Sequence, residues 1–234
     1  MRIHYFVPTR GRPQNALRLM TAFTETCTLK TTRLTLCVDS DDPMRHEYTA
    51  ICRNNLRDPV SLKIAERQRM GPTLNAYATA WSADNPGDIV GFMGDDHLPI
   101  TVGWDEEIRR DLEAVKAAIW YGNDLIQGPN IPTAVAMTTN IVNAIGYMVA
   151  PGLTHLYIDN FWKQLGSLSM RLIYRNDVII QHMHPIAGTG AWDAGYEEVN
   201  SGQMYEADEK AWQEYSSTRL FGDVMKIRQL VKHA

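Results

Sequence analysis

The chain has 234 residues, 44% hydrophobic and 21% charged, which suits one large α/β domain able to bury a core without disulfide or metal staples. A net charge of -4 gives no global basic field for nucleic acid, although a local basic groove stays open. Three cysteines without metal spacing (Cys27, Cys37, Cys52), an N-terminal apolar run too short for a signal peptide, and no window near the roughly 18 apolar residues of a membrane span point to a cytoplasmic protein with reduced thiols.

In chain order, residues 3–7 read as a strand and Pro8-Thr9-Arg10-Gly11-Arg12-Pro13 as a loop, with Pro13 suited to the first turn of a helix carrying Leu17, Met20 and Phe23. Residues 34–38 form a second strand, which ends in the acidic loop Asp39-Ser40-Asp41-Asp42-Pro43. A helix over 44–55 follows, with Tyr48, Ile51 and Leu56 on one face, and then a short strand over 60–64. The loop Glu66-Arg67-Gln68-Arg69-Met70-Gly71-Pro72 is basic, and Pro72 opens a helix to about Ser82. The fourth strand, Asp88-Ile89-Val90-Gly91-Phe92-Met93, is an unbroken apolar run of the kind buried in parallel sheets, and it stops at Gly94-Asp95-Asp96-His97. A helix with Trp104, Ile108, Leu112 and Val115 and a strand over 118–121 complete a βαβαβαβαβ pattern, the signature of a mostly parallel sheet with right-handed crossovers.

Beyond Asn123 the alternation fails. Residues 135–146 fit strand or helix equally, and 152–159 lead into a short helix holding Phe161, Trp162 and Leu165. Residues 170–174 and 178–182 look like a hairpin turned at Arg175-Asn176-Asp177. Residues 185–202, with four glycines, read as a mobile loop, and 204–231 as two helical runs broken near Ser216-Ser217. The expected architecture is a single domain over 1–234, with a nucleotide-binding half (1–122) and a smaller half (123–234) that completes the cleft.

Ligands of open α/β sheets bind at the carboxyl ends of the strands, where both acidic loops fall. Adjacent carboxylates repel unless a proton or cation separates them, and a hard divalent cation that also bridges phosphates is the simplest resolution; the alternative is a solvated turn. On an extended strand Asp95 and His97 share one face and Asp96 the other, so one or two of the three serve as ligands. Residues 8–13 can set backbone N–H groups and an arginine near a nucleotide, but lack both the Gly-Lys-Ser/Thr of a Walker loop and the glycines of a dinucleotide fingerprint; an ordinary surface loop explains them as well. Asp39 suits a ribose or base contact, or an Asx turn. Arg67, Arg69 and Gly71 precede a helix start that can take a base or diphosphate, or are solvated. His182 and His184, two residues apart, share one face of an extended segment and can reach a metal. Asp159 sits among Tyr157, Phe161 and Trp162, where burial raises a carboxylate toward base strength; it also suits a helix N-cap.

Together these motifs resemble the GT-A class of nucleotide-sugar glycosyltransferases, in particular the inverting family of bacterial and phage enzymes. The resemblance implies an α/β, GT-A-like, mostly parallel Rossmann-like sheet flanked by helices. It implies donor-nucleotide contacts from Pro8, Thr9, Arg10, Arg12, Asp39, Arg69, Gly71, Asn75 and Asp95, and Asp159 as catalytic base. Mn2+ or Mg2+ is implied at Asp96 with His182 or His184. In that family the motif's aspartates are separated by one residue; here they are adjacent, and Asp96 is favoured as the direct ligand.

The implied reaction is a single inverting displacement, with a UDP-sugar the favoured donor and no membrane insertion. Two acceptor classes follow: a 5-hydroxymethylpyrimidine in phage DNA, gripped by Arg171, Arg175, Arg219, Lys226, Arg228 and Lys232, or a glycan or protein. A phage-encoded enzyme would work in the host cytoplasm. A nucleotidyltransferase is the competing enzyme class, but its first loop is longer, richer in glycine and carries a lysine, which residues 8–13 lack. A non-catalytic sugar-nucleotide module would have no use for Asp159.

Overall fold

A computed structural model of the protein describes residues 1–55, 59–189 and 192–231. The strands are β1 (Ile3–Thr9), β2 (Thr32–Asp39), β3 (Val60–Ala65), β4 (Ile89–Phe92), β5 (His97–Pro99), β6 (Ile119–Asn123), β7 (Val135–Thr138) and β8 (Leu172–His182). The helices are α1 (Pro13–Thr26), α2 (Arg45–Asn55), α3 (Met70–Asp84), α4 (Trp104–Val115), α5 (Thr139–Ile145), α6 (Ile158–Ser169), α7 (Ala194–Val199), α8 (Gly202–Thr218) and α9 (Leu220–Leu230). Leu56 and Lys232, both named from the sequence, lie outside the described residues.

The eight strands form one sheet in the order β3-β2-β1-β4-β7-β6-β8-β5. Strands β3, β2, β1 and β4 are mutually parallel; β7 runs against β4 and β6, β8 is parallel to β6, and β5 runs against β8. Helices cover both faces, which is why the parallel strands carry apolar residues on both sides. One face packs Leu74, Val142, Phe161, Trp162 and Ile227 from α3, α5, α6 and α9. The other packs Leu19, Phe23, Tyr48 and Trp104 from α1, α2 and α4.

Three departures from the sequence reading matter for the site. Residues 135–146 are both alternatives in turn, β7 and then α5. The expected hairpin is instead one strand, β8. Its register against β6 jumps from Gly122↔Arg175 to Asn123↔Ile179, so the turn-forming residues 176–178 bulge out of the ladder. A Cβ on Gly122 would lie 2.5 Å from the Val178 carbonyl oxygen, so only glycine admits the bulge. Its consequence is that the last residues of β8 pair with β5, setting His182 opposite His97. Finally, the expected mobile loop contains a short 3-10 turn, Pro185–Ala187, and the helix α7.

Candidate active site

A cavity of about 560 Å3 opens at the carboxyl ends of β1, β2 and β4. Strand β4 stops at Phe92, and the chain turns through Asp95 and Asp96, closed by the His97 N–H donating to the Gly94 carbonyl at 3.1 Å. The strict strand alternation therefore ends before the acidic pair. A Cβ on Gly94 would lie 2.5 Å from Asp96 Oδ1 and 2.9 Å from His97 Nδ1, so the turn depends on glycine.

The two aspartates sit in different surroundings. Asp95 is buried, and its Oδ2 accepts from Thr9 Oγ1 at 2.5 Å. Thr9 Oγ1 lies 3.0 Å from the Tyr48 hydroxyl, which accepts from the Arg12 backbone N–H at 2.7 Å. Burial, and then the neighbouring Asp96 charge, push the Asp95 carboxyl up, against the pull of Arg12 Nη1 at 3.6 Å. For Asp96 burial acts in the same direction, but His182 and His97 outweigh it and hold the group well below the usual range. Its Oδ2 accepts from the Tyr196 hydroxyl at 2.8 Å and lies 3.5 Å from His182 Nε2. One carboxylate thus tends toward neutrality and the other keeps its charge.

Cross-strand pairing of His97 with His182 stacks their rings 4.2 Å apart at 13°. Ligand atoms of Asp96, His97 and His182 all lie within 4.8 Å of one another. His97 Nδ1 accepts from the Gly94 N–H at 3.1 Å, and its Nε2 is buried with no partner. His184 packs edge-on against His182 at 4.9 Å and Tyr196 at 5.3 Å. It lines the same cavity but stands outside the close triad, which His97 completes.

An arginine cluster lines the opposite flank. Arg10 bonds Asp39 at 3.1 Å and Asp41 at 2.5 Å, and Arg67 lies 3.5 Å from Asp39. Burial raises Asp39 against the pull of both arginines. Arg12 caps the start of α1, grips Asp193 through two bonds of 2.7 Å, and lies 4.4 Å over the Tyr196 ring. Arg67 and Arg69 both hold Glu198, at 2.8 Å each. Arg69 has a φ of 68°, a left-handed conformation at the cavity rim. Residues 193–198 therefore bridge three arginines and, through Tyr196, Asp96.

The third wall is the start of α6. The backbone N–H groups of Thr154, His155 and Leu156 all donate to the buried Asp208 carboxylate of α8, at 2.7–2.8 Å. That anchored loop leads through Tyr157, at φ 61°, into the first turn of α6, which carries Asp159. Burial raises Asp159, opposed by the Asn160 N–H at 2.9 Å. The same burial pushes His155 down to about 4, so its ring is neutral at physiological pH.

Of the residues selected from sequence, Pro8, Thr9, Arg10, Arg12, Asp39, Arg69, Asp95, Asp96, Asp159, His182 and His184 line this one cavity. Gly71 and Asn75 are not among its lining residues, and their hydrogen bonds run to the chain itself. The Gly71 N–H donates to Thr154 O at 2.9 Å, and a Cβ there would run into the Leu153 carbonyl oxygen. Asn75 accepts from the N–H groups of Met148 and Val149 and donates to Val149 O, at 2.8–2.9 Å. Asp193, Tyr196, Glu198 and His155 were not anticipated. Asp193 did carry a signal, since its side chain caps α7 by accepting from the Tyr196 N–H, and aspartate before a helix is a recognisable start.

No family model and no curated protein matches the sequence. Solved structures do match by fold. A mannosyltransferase from Pyrobaculum calidifontis, in complex with GDP-Man and Mn2+, superposes with a TM-score of 0.61 at 11% identity, covering 97% of this chain and 72% of that one. Glucosyl-3-phosphoglycerate synthase from Mycobacterium tuberculosis, with Mg2+ and UDP, gives 0.58 at 11% identity, covering 91% and 78%. S. aureus TarS (residues 1–349) in complex with UDP gives 0.55 at 14% identity, covering 77% of this chain. The matched region spans 59% of that TarS chain. The fold is thus a single GT-A-like α/β domain, shared with a mannosyltransferase held with GDP-Man and with two proteins held with UDP.

Proposed function

We propose that the protein is a metal-dependent, inverting glycosyltransferase that moves a sugar from a nucleoside-diphosphate donor, UDP-linked by preference, to an acceptor hydroxyl. The observation that carries this reading is convergence: a charged Asp96 beside His182, an arginine cluster around Asp39, and a buried Asp159 share one cavity at the carboxyl edge of a GT-A-like sheet. The donor set fits Mn2+ or Mg2+, since Asp96, His97 and His182 bring carboxylate and imidazole ligand atoms within 4.8 Å of one another at the cavity. Asp96 and His182 are the proposed ligands, with His97 and His184 beside them. When bound, the ion supplies positive charge to the diphosphate leaving group.

The protein's own groups do the rest. Arg10, Arg12, Arg67 and Arg69 supply cations for the diphosphate, and Asp39 an acceptor for ribose or base. Asp159 accepts the proton of the acceptor hydroxyl as its oxygen attacks the anomeric carbon. The bond from that carbon to the diphosphate oxygen breaks, its electron pair leaves with the diphosphate, and configuration inverts. No second carboxylate nucleophile is needed, unlike a retaining glycosidase.

For the acceptor, three of the six cations named for a DNA backbone are engaged elsewhere. Arg175 is held by Glu107, Asp111 and Asp177, Lys226 pairs with Asp223, and Arg228 donates to Leu168 O at the far end of α6. This favours a glycan or protein over a hydroxymethylated pyrimidine in DNA. A nucleotidyltransferase is disfavoured, since no lysine lines the cavity among the described residues.

Thermal melting with nucleotides tests the donor site. UDP with Mn2+ is expected to raise the Tm beyond the sum of either alone. An unchanged Tm with UDP, GDP and dTDP, each with Mn2+ or Mg2+, would sink the reading.

A further inference from the structure

A second cavity, of about 420 Å3, lies against α6 and shares no lining residue with the first. Its lining includes Lys163, Gly166 and Met170 from α6 and its end, with Tyr121 of β6 and Tyr174 of β8. The position of Asp159 relates the two cavities. Residues 159, 163, 166 and 170 are spaced i, i+4, i+7 and i+11, which is one face of a helix. At 1.5 Å per residue that stripe runs about 16 Å, from the proposed catalytic base to the C-terminal cap of α6. Asp159, which lines the active cavity, and Lys163, which lines this one, therefore share a helix face one turn apart.

We propose that this groove is an acceptor subsite and that its occupant is an oligosaccharide; calling it an acceptor subsite rests on the transferase reading above. Tyr121 and Tyr174 lie 5.0 Å apart, tilted by 41°. Tyr121 is buried and Tyr174 half-buried, so Tyr174 offers an outward ring face backed by a second ring. The C–H face of a sugar ring packs on such a surface. Lys163 Nζ is fixed 3.0 Å from the Tyr121 hydroxyl and 2.5 Å from Pro129 O, which gives the groove a polar edge for hydroxyl groups. Met170 is 79% exposed, at a φ of 60° that glycine would adopt at less cost, and forms an apolar rim.

Charge separates this occupant from a polyanion. A nucleic-acid backbone needs several available cations along its path. Lys163 already bonds two oxygens, and Arg175, next to Tyr174 on β8, is bound to three carboxylates at 2.7–2.8 Å. An uncharged polyhydroxylated chain asks only for the ring face and a few fixed polar groups.

The test is NMR titration of the full chain with cellotetraose, chitotetraose, maltotetraose and a mannotetraose, beside a single-stranded oligodeoxynucleotide and an unglycosylated peptide. At least one tetrasaccharide is expected to shift the Tyr121 and Tyr174 ring signals. Tyr174→Ala should weaken that binding about tenfold, the scale of one lost stacking contact. Lys163→Gln, which leaves the Tyr174 packing untouched, should also weaken it. UDP–Mn2+ affinity, measured on the same samples, should not follow either change. The proposal is overturned if no tetrasaccharide moves these signals, if both variants bind sugar as the parent does, or if the oligodeoxynucleotide or the peptide is what fills the groove. Absence of UDP–Mn2+ binding in the parent is a separate outcome: it removes the transferase reading and leaves the sugar site to stand or fall on its own titration.

Discussion

Asp95 and Asp96 are adjacent in sequence, yet their surroundings push them in opposite directions. Burial and the neighbouring Asp96 charge lift Asp95, against the Thr9 hydroxyl and Arg12, while two imidazoles keep Asp96 charged and turned to the cavity. Asp159 lines the same cavity, and its titration carries a prediction. A base must be deprotonated, so burial, which raises Asp159, shifts the acid limb of the rate profile above the ordinary carboxylate value of about 4. The folded state holds this proton more tightly than the unfolded chain. Ionising Asp159 therefore costs stability as pH rises from the unfolded value through the raised one. Asp159→Asn should lose roughly 100-fold or more of the transfer rate, keep UDP–Mn2+ affinity, and melt at or above the parent Tm at neutral pH. Calorimetry and a pH–rate profile check this, and a variant that retains full activity removes Asp159 as base. Asp96 and Asp159 were legible as residues because each breaks an apolar run with a charge. His97 was visible too, but as a strand residue sharing a face with Asp95; only the turn at Gly94 brings it to Asp96.

Elements decide which of these residues can meet. Helix α7 came from a stretch whose glycines read as loop, because a six-residue helix leaves too little periodicity to see. It carries Glu198 onto Arg67 and Arg69, two cations proposed for the donor diphosphate. The carboxylate and the diphosphate compete for the same guanidinium groups. Glu198→Gln is therefore expected to tighten UDP–Mn2+ binding, and by only a few-fold, since partly exposed ion pairs are worth about 1 kcal/mol or less. Titration calorimetry at low and high salt reads it; weaker binding in the variant would mean that Glu198 orients the arginines instead. Strand β8 is the other decisive element. Arg175-Asn176-Asp177 has turn composition, and a turn was the local solution. The sheet made it a bulge, because continuing the strand lets its end pair with β5 and bring His182 to His97.

At the scale of the whole molecule, β7 comes from the second half of the chain and pairs between β4 and β6 of the first, so the two halves share one sheet. Asn75 adds a second link, holding the backbone at 148–149 to α3 through three hydrogen bonds. Asn75→Ala strands those groups, and at about 1 kcal/mol or more for each orphaned partner should lower stability by roughly 3 kcal/mol. The loss should appear in differential scanning calorimetry as one transition at a lower Tm, with UDP–Mn2+ affinity unchanged. A drop in nucleotide affinity without a drop in Tm would return Asn75 to the donor site. By itself the sequence determined the α/β class, the parallel first half and eleven of the residues that line the cavity. Those follow from apolar runs, the helical period and the placing of charge at strand ends, all of which are local. Tertiary structure alone decided the His97–His182 pairing, the latch of Glu198 on the arginines and the hydrogen bonds that tie Gly71 and Asn75 to residues 148–154. Each depends on contacts between segments tens of residues apart, where pairing register and backbone closeness, rather than local preference, select the partner.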